Sequence, residues 1–262
     1  MMLDGFECYE FSHAGYTYPV LRAGSGPGVV IIHEVPGITP EVSRFAQRVA
    51  DAGFTVFLPS LFGTPGRRFS GAYAGSRILR ACIRREFAVF EANGSSPVVD
   101  FLRGLCRAAQ EQTGGPVGAL GMCLTGNFAL ALAADASVDA PVLSQPSLPF
   151  PVNARLRRAL HLDPADLAEV RRRAREEDLR VLGLRFSADP ACPAARFERL
   201  REELGDQFEG VEIDSSRGNP HGNAITAHSV LTRDLVDEAG HPTRAALERV
   251  LAFFREQLTP NG

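Results

Sequence analysis

Cys123, Asp189 and His228 supply a thiol, a carboxylate and an imidazole. These are the three groups of nucleophilic acyl transfer: the sulfur attacks a carbonyl, the imidazole moves the proton and the acid orients the ring. Each falls at or just beyond the carboxyl end of a segment that reads as a strand, in the order nucleophile, acid, base. Cys123 has the most specific surroundings. Residues 116–130 read as a short apolar strand, a tight turn and an Ala/Leu-rich helix, with the cysteine at the apex of the turn. A helix start offers unpaired N–H groups and the positive end of the dipole, which favour a thiolate and an oxyanion beside it. Gly121 leaves room across the turn and Gly126 lets the helix approach a neighbouring strand, whereas Thr125 stands where the nucleophile-turn pattern has glycine. A lone cysteine in an apolar stretch is ordinarily a small buried hydrophobe; the strand–turn–helix context favours the nucleophile here.

The partners have competing readings. Asp189 precedes Pro190, and Asp-Pro is also a plain turn signal. His228 competes with His221, which sits in the turn-rich Asn219-Pro220-His221-Gly222-Asn223 as an exposed loop histidine would. His33 either supports an oxyanion site or is a satisfied buried histidine. His13, His161 and His241 show no metal-ligand spacing, so neither a metal nor a cofactor is expected.

The elements that would position these groups alternate strand and helix. Residues 6–21 suit an opening hairpin closed by the turn-rich 24–28. Residues 29–32 are a continuous apolar run, as in a strand buried on both faces of a parallel sheet. That run ends at His33-Glu34-Val35-Pro36-Gly37, where the ligand crevice of an open α/β sheet lies. A helix over 41–52, with Thr39 as its cap and Pro40 in its first turn, leads to a strand at 54–59 and completes a right-handed βαβ unit. Helical sequence is expected up to about 93 and over 96–110, 193–204 and 243–258, the last with Leu247, Val250, Leu251 and Phe254 on one face. Further strands are expected at 117–120, 141–146, 180–186 and 208–213. The Arg-rich, helical stretch 149–178 exceeds a simple crossover, so an insertion or cap at the crevice is expected. The fold class is α/β, a mostly parallel twisted sheet with helices on both faces. One domain over 1–262 is expected, because no Pro/Gly/Ser-rich linker divides the chain.

Composition removes several function classes. All 28 basic residues are Arg, against 31 acidic ones. Without lysine there is no Schiff base, no pyridoxal-phosphate anchor and no phosphate-loop Lys. The Arg clusters adjoin carboxylates on expected helices, so they read as solvated faces rather than a nucleic-acid surface. The five cysteines are scattered and form no CxxC pair, which suggests neither a disulfide scaffold nor a zinc ribbon. The first residues lack a charged segment leading into an apolar core, and no run approaches the ~20 apolar residues needed to span a bilayer. A soluble, cytoplasmic monomer or homodimer with a small-molecule substrate is expected.

The sequence resembles the dienelactone hydrolase family at Gly-Met-Cys-Leu-Thr-Gly around Cys123, at Glu34, at Ser-Ala-Asp ending in Asp189, and at His228-Ser229 with Thr232 nearby, within residues 29–258. The resemblance implies an α/β-hydrolase fold, a Cys/His/Asp triad and hydrolysis of a carboxylic ester or (dien)lactone through a thioester acyl-enzyme. It further implies that Glu34 contacts and helps to activate the thiol. An arginine that binds a substrate carboxylate would lie among Arg77, Arg80, Arg84 and Arg85, with Arg233 another candidate; surface arginines on amphipathic helices are the plainer account of each. Backbone N–H groups of Leu124 and Val35 would hold the oxyanion. Thr125 and the lengths of 149–178 and 214–226 depart from the family pattern. Two other functions fit the same fold: a catalytically silent small-molecule binding module, and a redox thiol with Cys192 as its resolving partner.

Overall fold

The computed structural model describes residues 3–72, 74 and 97–259. Its eight-stranded sheet has the order β1-β2-β4-β3-β5-β6-β7-β8. The strands are β1 (Glu7–His13), β2 (Tyr16–Ala23), β3 (Gly28–Ile32), β4 (Thr55–Pro59), β5 (Val117–Met122), β6 (Val138–Ser144), β7 (Val181–Phe186) and β8 (Phe208–Ile213). β1 and β2 pair antiparallel and β2 joins β4 antiparallel, while β3 to β8 run parallel to one another. The opening hairpin reverses at Ala14 and Gly15, both at positive φ. Residues 24–28, expected to close it, instead carry the chain from β2 into β3.

The apolar runs become strands because both sheet faces are covered. Val30 and Ile32 of β3 point into one core, built with α2 (Val98–Thr113), α3 (Phe128–Leu132), α5 (Pro164–Glu176) and α6 (Ala194–Leu204). Val29 and Ile31 point into the other, with α1 (Pro40–Asp51) and α7 (Pro242–Leu258). Neighbours along a strand thus serve opposite cores, as the pleat requires. Helix α1 starts where expected, with the Thr39 hydroxyl accepting from Val42 N–H and Pro40 in the first turn.

Of the helical insertion expected at 149–178, α5 is the ordinary crossover between parallel β6 and β7. It buries Val170 and Ala174, and buried Arg173 donates to the carbonyls of Ala133, Asp135 and Val138 at 2.7–2.9 Å. The additional chain is 145–163, which includes only the five-residue helix α4 (Ala154–Arg158). This segment is fastened from below by Arg196 of α6, whose fully buried guanidinium donates to four carbonyl oxygens, those of Pro146, Pro149, Leu156 and Ala159.

The strand order reverses between β3, flanked by β4, and β5, from which the sheet grows the other way. In open parallel sheets the crevice at such a switch point, beyond the carboxyl ends of the strands, is where ligands bind. Glu34 follows β3 there and Cys123 follows β5.

Candidate active site

β5 ends at Met122, and Cys123 adopts φ +56°, an uncommon conformation for a residue with a side chain. A 3-10 turn, Cys123–Thr125, follows and leads into α3. This backbone throws the half-buried sulfur out over the sheet end. It closes only because two glycines lack side chains: a Cβ on Gly121 would sit 2.1 Å from Thr125 O, and one on Gly126 would sit 2.5 Å from Pro146 Cα. Thr125 has its own task. Its buried hydroxyl accepts from Met122 N–H at 3.1 Å and faces the carbonyls of Ile32 and His33 at 2.9 and 3.2 Å, which fastens the cysteine turn to the end of β3.

Asp189 follows β7 and is 4% exposed. One carboxylate oxygen accepts from Ala191 N–H at 2.9 Å and shapes the Asp-Pro turn; the other meets His228 Nδ1 at 2.6 Å. The turn-forming and imidazole-orienting readings of Asp189 therefore describe two oxygens of one residue. With Nδ1–H committed to Asp189, the other ring nitrogen is available to the sulfur, and Cys123 is a hydrogen-bond partner of the imidazole. Burial works against a charged ring, but interactions with the adjoining Cys123 and with Asp189 outweigh it and lift the His228 pKa well above its ordinary value. The structure thus brings together Cys123, His228 and Asp189, which the chain holds far apart.

Glu34, 5% exposed, lies beside this line. Its Oε2 accepts from Ser229 Oγ at 2.8 Å and from Gln145 Nε2 at 3.3 Å, and its Oε1 accepts from the Thr232 hydroxyl. Among the described residues these are its hydrogen-bond donors, and the Cys123 thiol is not one of them. The Ser147 hydroxyl also donates to the sulfur, at 3.8 Å, and Ser147 N–H donates to Cys123 O at 2.9 Å. Leu124 sits in the 3-10 turn and Val35 follows Glu34, so the Thr125 bonds hold the two expected oxyanion donors on adjoining segments.

The remaining sequence candidates separate. His33 is fully buried: its Nδ1–H donates to Glu34 O at 3.0 Å and its Nε2 accepts from Leu61 N–H at 3.1 Å. Burial pushes its pKa down to about 4 despite the bond to Glu34 O, so it is a neutral strut under the β3 loop. His221 is exposed and packs edge-on against the His241 ring. Cys192 is fully buried, and its thiol is pushed up to about 12, chiefly by burial. Arg77, Arg80, Arg84 and Arg85 lie outside the described residues. Arg233 is described: it stacks over Phe69 at 4.9 Å, pairs with Asp234 at 3.1 Å and feels the charges of both Glu34 and Cys123. Among the described residues no cluster of three or more His, Cys, Asp or Glu could hold a metal ion, and no helix is long and apolar enough to cross a membrane.

Sequence reasoning missed Asp234, Gln145 and Ser147. The Asp234 carboxylate accepts from the backbone N–H groups of His228 at 2.9 Å and Ser229 at 2.8 Å. Burial raises its pKa, but these bonds and the Arg233 guanidinium more than offset it and hold the group below the ordinary carboxylate range. An acid six residues after the histidine is a cue for such a backbone cap, but a weak one.

The sequence profile of the dienelactone hydrolase family matches residues 14–258. No curated protein matches the chain. Among solved structures, the chain is similar to a dienelactone hydrolase from Anabaena variabilis, at 16% identity and TM-score 0.60, over 97% of this chain and 99% of that one. A dienelactone hydrolase-like promiscuous phosphotriesterase from metagenomic libraries aligns at 18% identity and TM-score 0.57, over 97% and 98%. The thioesterase domain from the curacin biosynthetic pathway aligns at 12% and 0.57, over 95% and 100%.

Proposed function

Because the chain belongs to the dienelactone hydrolase family, we propose that it hydrolyses a small-molecule carboxylic ester or lactone, with Cys123 as the nucleophile. The observation that carries this reading is the hydrogen-bonded line from the Cys123 sulfur through His228 to Asp189, set at the sheet's switch point. The imidazolium keeps its proton beside the thiolate, because its pKa is raised. The thiolate attacks the ester carbonyl, and the Leu124 and Val35 N–H groups receive the oxyanion, worth roughly 3 kcal/mol per donor in well-studied sites. Collapse gives an acyl-cysteine as His228 Nε2–H protonates the departing alkoxide. The neutral ring, held by Asp189, then takes a proton from water, which attacks the thioester; the acid leaves and the thiolate–imidazolium pair is restored.

Arg233 is the described residue best suited to a substrate carboxylate. It is a partly exposed guanidinium close enough to the sulfur to sense its charge, with Phe69 beneath it for an apolar substrate face. The burial of Cys192 argues against a Cys123–Cys192 redox couple, and the assembled triad argues against a silent binding module. A panel of aryl esters and lactones tests the proposal. Turnover is expected, blocked by iodoacetamide and absent in Cys123→Ala, whose circular dichroism matches the parent. Undiminished turnover in that variant would end the proposal.

A further inference from the structure

We infer that Glu34 acts on catalysis as a positioning residue for His228, by clamping the turn at residues 229–232 to the end of β3, and not by acting on the sulfur. This inference rests on the hydrolase reading above. The carboxylate is buried, and a buried charge persists only where its lone pairs are satisfied. Three donors do this. Ser229 and Thr232 stand at the two ends of one turn, closed by Thr232 N–H donating to Ser229 O at 3.3 Å, and both hydroxyls point to Glu34. Gln145, beyond β6, supplies the third. The same turn is held from its other side by Asp234, which accepts the His228 and Ser229 N–H groups.

His228 is the residue that enters this doubly held turn, so its ring is referred to β3 through Glu34. The cysteine turn is referred to the same strand end through Thr125. Sulfur and imidazole thereby share one datum, although their turns are far apart in sequence. Among the described residues no hydrogen bond joins Glu34 to the Cys123 thiol, whereas three donors tie its carboxylate to the histidine turn and to Gln145. The clamp has the larger lever, because a displacement of about 1 Å in a catalytic group costs on the order of 100-fold in rate.

The test compares Glu34→Gln with the double variant Ser229→Ala/Thr232→Val, which keeps the carboxylate and removes two of its donors. Both are expected to lose kcat by a similar factor, roughly 10- to 100-fold, with KM within about threefold. The triple variant should lose no more than the worse of the two, and Thr232→Ser should keep the parent rate. In proton NMR, the far-downfield Nδ1 proton of the His228–Asp189 bond should broaden or vanish in both. Where the double variant does not fold, Ser229→Ala and Thr232→Val singly carry the same prediction at smaller amplitude. Loss of kcat in Glu34→Gln with full kcat and an intact downfield proton in the hydroxyl variants would overturn the clamp and return Glu34 to the thiol. A parent protein that hydrolyses no ester would instead remove the hydrolase reading, and the downfield proton would decide the clamp by itself.

Discussion

The cysteine turn and the histidine turn reach the same crevice by different means. At Cys123 the shape follows from atoms that are missing, since the chain doubles back only where Gly121 and Gly126 offer no Cβ. At His228 it follows from groups that are added, with Asp234 beneath the backbone and Glu34 across the side chains. The first is a steric device centred on six residues, with Pro146 packed against its second glycine. The second is an electrostatic device assembled from distant segments and therefore sensitive to protonation and to single polar substitutions.

The sharpest way to separate the two devices is to disturb chemistry without disturbing shape. Asp189→Asn leaves a turn former in place but no longer fixes the imidazole's tautomer. Activity should fall by roughly 10⁴-fold, the loss known for such a change in a serine triad, with the thermal midpoint within a few degrees of the parent. Gly121→Ala tests the steric device from the opposite side. Its methyl would overlap a backbone carbonyl that cannot give way, so unfolding in urea should show a loss of about 3 kcal/mol or more. Asp234→Asn, by contrast, should cost about 1–3 kcal/mol, because it weakens charged bonds to two N–H groups without forcing atoms together. Equal losses at the two positions would dissolve the distinction.

The smallest effect concerns the strand end that both turns share. His33 is held neutral, with its folded pKa depressed to about 4 against an unfolded value near 6.5. A depressed pKa means its contribution is fully present above about pH 6.5 and is lost as pH falls toward 4. Between pH 7 and pH 5 it should remove about 2 kcal/mol of unfolding free energy. Unfolding curves of His33→Gln at the two pH values should lack that share of the change.

How far the sequence could be read follows the same division. Runs such as Val29–Ile32 are legible as strands because burial on both faces leaves no alternation to obscure them. The cysteine turn is legible because its glycines and nucleophile are close together, Asp189 because it closely follows a strand, and His228 through the family pattern His228-Ser229 with Thr232, since it lies well beyond the end of β8. The order of the turns near the amino end was misjudged: the Gly-rich 24–28 outweighs Ala14-Gly15 as a signal, yet the shorter pair makes the hairpin. At 149–178, Arg-rich helical sequence conceals a normal crossover, because the arginine that would mark a solvent face, Arg173, is buried against carbonyls. Glu34, Ser229 and Thr232 stand out in the sequence as points of family resemblance, but nothing local says that they meet. Ser229 is 195 residues away, and hydroxyls one and four positions after a histidine do not show that they reach a carboxylate until the fold supplies it.

The fastening of residues 146–159 bears on how much of that segment's sequence is free to vary. Arg196 grips this segment, which carries Ser147 beside the Cys123 sulfur, by main-chain oxygens alone, and every amino acid carries such an oxygen. Exposed side chains along the segment, such as Val152, can therefore be exchanged while the anchor beneath them stays put.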